Sequence, residues 1–260
     1  MRTLGIGALE DLYAAYQGCN LCPALVKSRT NVVFGGGSAR APILVLGEAP
    51  GEQEDQLERV FLGPSGRLLM DMMQMAWPDD PKMDEIRAIP EDEGHDPQGP
   101  YFHALRDYLD NFIFWCNAVC CRPVDHENRN RPPSHTEMKA CSDRLERTIY
   151  AVDPLIILAM GKPAVSALMH RSAKIMEKRG TVLDVRIKSP VSGADVRYPA
   201  LALLHPSFLL RKGDKELVTK RQGATYETMV DLKYAFSLLT QQYQDLYGLP
   251  FPLTPETAHG

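Results

Sequence analysis

The sequence has no apolar run long enough to cross a bilayer, which argues against a membrane-spanning protein. Its first residues, MRTLGIGALEDLYAAYQG, lack the apolar core of a signal peptide, because Glu10 and Asp11 interrupt them. A cytoplasmic location is expected. No internal repeat is visible, so solenoids and propellers are set aside. A surplus of basic residues is missing too: 29 Lys and Arg stand against 33 Asp and Glu, a net charge of −4. That counts mildly against a nucleic-acid partner without excluding one, since phosphates need only a local basic face. There are just six cysteines, and in a reducing compartment they do not read as a disulfide frame.

What is present is ordinary for a globular chain: 260 residues, 44% hydrophobic and 24% charged. Apolar runs at 42–47 (PILVLG), 111–119, 154–161 and 198–205 read as strands, and none alternates strictly, so each is expected to be buried on both faces. Helical patterns fall between them, at 65–77, 134–152, 162–169 and 223–246. Ser134 and Glu137 have the spacing of a capping box. This alternation predicts a three-layer αβα sandwich around a four-stranded, mostly parallel sheet. Residues 1–248 are expected to form one domain, with 249–260 as an irregular tail. Residues 78–98 carry eight Asp and Glu against one Lys and one Arg, and the stretch to about 100 reads as an acidic insertion on the surface.

In open parallel sheets ligands bind beyond the carboxyl ends of the strands. LGEAPG, NAVCCRP, AMGKP and LLHPS each sit at such an end, so they are expected to converge on one cleft. The first of them continues as LGEAPGEQED and presents Glu48, Glu52, Glu54 and Asp55 around a Gly-Pro-Gly turn. That is either a solvated acidic loop or a carboxylate-lined active site.

The cysteines suggest a metal site. Cys19 and Cys22 form a CxxC pair, Cys141 lies in a helical pattern, and Cys120 or Cys121 supplies a further thiol. Nineteen residues separate Cys121 from Cys141, which fits no compact zinc ribbon. Four thiolates suit zinc or an iron–sulfur cluster, and composition does not choose between them.

Six pieces, in order, resemble the family 4 (iron–sulfur) uracil-DNA glycosylases. They are CNLC at 19–22, GEAPGEQED at 47–55, FLGPSGRLL at 61–69, NAVCCRP at 117–123, Cys141, and HPSFLLR at 205–211. The resemblance implies a [4Fe–4S] cluster on Cys19, Cys22, Cys121 and Cys141, with a structural role. It implies DNA containing uracil as substrate and excision of the base to leave an abasic site; a monomer is expected.

By the same resemblance Phe61 stacks on the flipped base and Asn117 reads its edge, with the Ala49–Gly51 turn beside it. His205 would donate to the departing base. Glu48 and Glu54 are both candidates to orient water, and the resemblance does not rank them. Ser65, Lys162, Ser207 and Arg211 are expected at DNA phosphates, with Phe208, Leu209 and Leu210 as a minor-groove wedge. Arg122, Arg129 and Arg131 would add positive charge.

The sequence departs from the family pattern before Phe61, where Glu58 and Val60 replace Gly-x-Pro. The segment from Cys121 to Cys141 is also longer than usual. One branch of the superfamily carries a product-trapping histidine there, where this chain has Asn130, so ordinary turnover is expected. The changes near Val60 leave a different damaged base as an alternative target. A non-catalytic iron–sulfur DNA-binding module is the other alternative.

Overall fold

Four apolar strands stack side by side because each one buries side chains on both faces. The computed structural model describes residues 5–90, 99–212 and 222–251. Its strands are β1 (Gly36–Gly37), β2 (Ile43–Gly47), β3 (Ile113–Asn117), β4 (Ile156–Met160), β5 (Val182–Lys188) and β6 (Asp195–Leu203). They lie in the order β1-β3-β2-β4-β6-β5. The β3-β2-β4-β6 centre is parallel, and β1 and β5 pair antiparallel at the edges. The expected four-stranded parallel sheet is therefore this centre, widened by two edge strands.

The helices in chain order begin with α1 (Gly5–Gln17), α2 (Pro23–Ser28), α3 (Glu52–Leu57), α4 (Pro64–Ala76), α5 (Pro81–Arg87) and α6 (Pro100–Leu109). They continue with α7 (His135–Ala140), α8 (Ser142–Val152), α9 (Gly161–Met169), α10 (Ile175–Lys178), α11 (Pro206–Lys212) and α12 (Gly223–Tyr247). Ile43, Val45, Trp115, Leu158 and Leu203 face a layer of α4, α5, α6, α11 and α12. Leu44, Leu46, Phe114, Ile157 and Ala202 face α1, α8 and α9. Among the described residues no helix is long and apolar enough to cross a membrane.

Two expectations change. The acidic stretch is not a surface excursion. Met83 and Ile86 of α5 and Tyr101, Phe102, Leu105 and Leu109 of α6 are buried in the main core, and Tyr108 is hydrogen-bonded to buried Asp80, the N-cap of α5. Asp84 and Glu85 lie exposed on the outer face of α5, whose inner face is apolar. Residues 91–98 of that stretch lie outside the described residues, as do 252–260 of the tail. The helix expected over 134–152 is interrupted at Cys141, which closes α7 and opens α8. The capping box of Ser134 and Glu137 starts α7 as expected.

Candidate active site

Gly47 ends β2 directly opposite Asn117, which ends β3. A Cβ at Gly47 would collide with the Asn117 amide and the Phe61 ring. The missing side chain is thus what lets those two groups share the space above the strand ends. Pairing continues past the strands: Ala118 N–H donates to the Gly47 carbonyl and Val119 N–H to that of Glu48, each at 3.1 Å. The loops after β2 and β3 therefore leave the sheet as one unit. They open into a cleft of about 610 Å³ lined by Glu48–Glu54, Phe61, Ser65, Asn117, Asn130, His205, Ser207 and Arg211, among others.

Phe61 is held in the left-handed region, φ 60°, where a bulky residue needs outside support. Three neighbours supply it. The ring packs on Trp115, 5.4 Å between centroids. The carbonyl of the preceding Val60 accepts from buried Arg106 Nη1 at 2.9 Å. Gly66 leaves room for the Phe61 carbonyl, which a Cβ there would strike. Arg106 also pairs with Asp110 at 2.7 Å and lies over the Trp115 ring.

The two glutamates divide clearly. Glu54 Oε2 accepts from Gly51 N–H at 2.6 Å and Oε1 from Leu62 N–H at 3.1 Å. It clamps the turn after β2 to the loop that carries Phe61. Burial raises its pKa, and the backbone donors and Arg106 oppose that rise. Among the described residues no hydrogen-bond donor reaches the Glu48 carboxylate. Burial raises its pKa too, and Arg211 pulls it back down.

His205 follows β6, and its ring tautomer is set by Ser207. Ser207 N–H donates to Nδ1 at 3.1 Å, and Ser207 Oγ lies 2.8 Å from the same nitrogen. Nδ1 is thus an acceptor, and the proton of a neutral ring sits on Nε2. Burial, then the Arg211 charge, push the pKa down to about 4, so the ring is neutral at pH 7. Gly161, φ +79°, permits this placement: a Cβ there would come within 2.7 Å of the His205 Cβ.

Several expected DNA contacts are placed differently. Ser207 is engaged by His205, and Lys162 is exposed at the start of α9, outside the cleft lining. Leu209 is 1% exposed and belongs to the core, so it cannot be a wedge. Phe208 and Leu210 are partly buried against that core. Ser65 and exposed Arg211 line the cleft. The expected surplus of positive charge is largely cancelled. Arg131 grips Glu137 through two bonds, and Arg129 pairs with Asp125 and Glu127. Arg122 is buried and binds Asn130 Oδ1 at 2.7 Å and Glu52 at 3.4 Å.

Cys22, Cys121 and Cys141 gather with Cys120, Leu25 and Val119 in a small core beside the cleft loops. Burial, then the nearby Cys141, Cys121 and Cys19, push the Cys22 thiol up to about 11. Burial raises the Cys121 thiol as well, with Arg29 opposing the rise, and a bound metal is what stabilises thiolates in such a place. Arg29 supports the same set, with Nη1 3.1 Å from Cys121 Sγ and Nη2 donating to the Cys19 carbonyl at 2.6 Å. Among the described residues no three His, Cys, Asp or Glu are close enough to hold one metal ion.

The fold and cleft define an α/β protein whose parallel strands end in a pocket bearing a carboxylate, an amide, an aromatic ring and a neutral imidazole. The chain belongs to the uracil DNA glycosylase superfamily, whose family model matches residues 34–231. It is similar to the Type-4 uracil-DNA glycosylase of Thermotoga maritima, 31% identical over 200 residues, which covers 76% of this chain and 81% of the relative. It is similar also to that of Sulfurisphaera tokodaii, 31% identical over 213 residues and 79% of each chain. The Type-4 uracil-DNA glycosylase of Pyrobaculum aerophilum is 28% identical over 204 residues, 78% of this chain and 85% of the relative.

Proposed function

We propose that this protein is a monofunctional DNA glycosylase that hydrolyses the N-glycosidic bond of uracil in DNA and leaves an abasic site. The observation that carries this reading is the meeting of Glu48, Phe61, Asn117 and His205, from three strand ends and an intervening loop, in one cleft. A base reaches such a cleft only by leaving the duplex stack or from a single strand. Phe61 then offers a ring face for stacking. The Asn117 amide donates to O4 and accepts from N3–H, a pattern that uracil matches and cytosine does not.

As the bond from C1′ to N1 breaks, its electron pair leaves with the base, and negative charge grows at O2. His205 Nε2–H donates there as a neutral group. The ionised Glu48 stabilises the cationic sugar and orients a water toward C1′. The water oxygen bonds to C1′, and its proton passes through Glu48. Glu54, already bonded to two backbone donors, holds the pocket in shape. Ser65, Arg211 and Lys162 serve the phosphates, and Phe208 and Leu210 lie on the helix that approaches the groove.

Cys19, Cys22, Cys121 and Cys141 would hold a [4Fe–4S] cluster, which when bound ties α2 to the loop after β3 and to the α7–α8 junction. Reduced thiols of this kind suit a reducing cytoplasm.

The test is incubation of the purified protein with single- and double-stranded oligonucleotides carrying one uracil, followed by alkali. Strand breaks at uracil only after alkali are expected, with no heat-stable protein–DNA adduct. An intact uracil strand beside a cleaved strand carrying another damaged base would move the assignment to that base. Tight binding with no abasic product at all would make the protein a binding module.

A further inference from the structure

Arg144 is a buried cation without an acid. It is 1% exposed, and among the described residues no carboxylate pairs with it. Its Nη2 donates to the main-chain carbonyls of Asn117 at 2.7 Å and Ala118 at 3.0 Å. Nε and Nη1 are buried with no oxygen or nitrogen partner, and the polar atoms on that side of the guanidinium are the Cys141 and Cys116 sulfurs. It also sits in the first turn of α8, where the helix dipole disfavours positive charge. An aromatic ring, Phe34, lies 6.0 Å away. A guanidinium so placed calls for a nearby anion.

The anionisable groups around Arg144 are sulfurs: Cys120, Cys141 and Cys116. Cys116 and Cys120 sit deep in the core, where burial favours the neutral thiol. Cys141 is different. It opens α8, three residues before Arg144, so the two share a helix face. It is also one of the four thiols assigned to the cluster.

We propose that Arg144 is a positioning residue that couples the sulfur centre to the base-reading end of β3. The ligated thiolates balance its charge on one side, and its Nη2 fixes the Asn117 and Ala118 carbonyls on the other. The inference rests on the cluster reading above and adds to it a reason for the cluster's place beside the cleft. Asn117 is the last residue of β3, and its amide occupies the space over Gly47. Holding its carbonyl holds the amide in register with the base.

The experiment compares the cluster-loaded wild type with R144M and R144Q, neither of which keeps the charge. Glutamine retains amide donors for the carbonyls, whereas methionine retains only the bulk. The midpoint reduction potential of the cluster, followed by visible absorbance, is expected to move to more negative values in both variants. Adding an electron becomes harder once a neighbouring buried cation is gone. Binding of free uracil is expected to weaken about tenfold in R144M and to recover in R144Q, as loss of a charged donor to a carbonyl implies. A purely structural arginine would lower thermal stability without ordering the two readouts in this way.

If R144M does not fold, R144Q alone still tests the potential. An unchanged potential in cluster-loaded R144Q overturns the proposal. So does unchanged uracil affinity in folded R144M. Wild-type protein that carries neither iron nor acid-labile sulfide overturns the cluster reading instead.

Discussion

Ser207 and Gly161 place the His205 ring, and burial keeps it without charge at neutral pH. Its pKa, about 4, is below the ordinary 6.5 for the side chain. Between those values the unfolded chain takes up the proton first. The stability linked to this group is therefore intact above about pH 6.5 and is lost as pH falls toward 4. Turnover is expected to show no histidine step between pH 6 and 8. A step near 6.5 that disappears in H205A would contradict the neutral ring. H205A itself is expected to lower kcat by about 10²–10³, the effect of losing one preorganised donor to a developing anion. The glutamates give a paired test. E48Q is expected to reduce kcat strongly with little change in melting temperature. E54A strands the Gly51 and Leu62 donors, and is expected to cost about 1–3 kcal/mol of stability. Denaturant melts and single-turnover kinetics on the same two variants check both statements, and a reversed order would exchange the roles assigned to the two residues.

The elements that carry these residues end where glycine permits. Gly161 opens α9 at φ +79° against His205. Alanine there meets both an unfavourable backbone and a rigid neighbour, so G161A is expected to lose about 1–3 kcal/mol and to lose turnover through displacement of His205. Calorimetry with a kinetic assay checks this, and full activity in G161A would mean that His205 is not held by that contact. The central strands were legible in the sequence because burial on both faces leaves continuous apolar runs. Edge strand β5 was not, because its residues alternate between exposed and buried and resemble surface. The break at Cys141 was hidden because helical periodicity runs through both halves. The acidic stretch misled because Asp and Glu dominate its composition while Met83, Ile86, Tyr101 and Phe102 do the packing. Glu48, Phe61, Asn117 and His205 were readable as parts of motifs. Arg106 and Arg144 were not, since a lone arginine in a helix reads as solvated charge and only the fold reveals that it is buried.

At the scale of the whole molecule, a chain with net charge −4 has to attract a polyanion. Much of its arginine is committed elsewhere: Arg106, Arg122, Arg129 and Arg131 are paired inside or beside the site. Arg211 is exposed on the cleft rim. Its charge lowers the pKa of Glu48 and of His205 beside it, and the proposed reading also sets it at a DNA phosphate. R211A should therefore produce two separable effects. The slope of log affinity against log salt should fall by about 0.9 for duplex DNA, or about 0.7 for a single strand, as one phosphate contact is lost. The acid limb of the kcat profile should also move to higher pH, because Glu48 without its neighbour takes up a proton sooner as pH falls. DNA binding at several salt concentrations and kcat measured from acid to neutral pH separate the two. A reduced salt slope with an unmoved acid limb would leave Arg211 as a phosphate contact and remove Glu48 as the group whose ionisation limits the rate. An unmoved slope would show that DNA enters the cleft from another side.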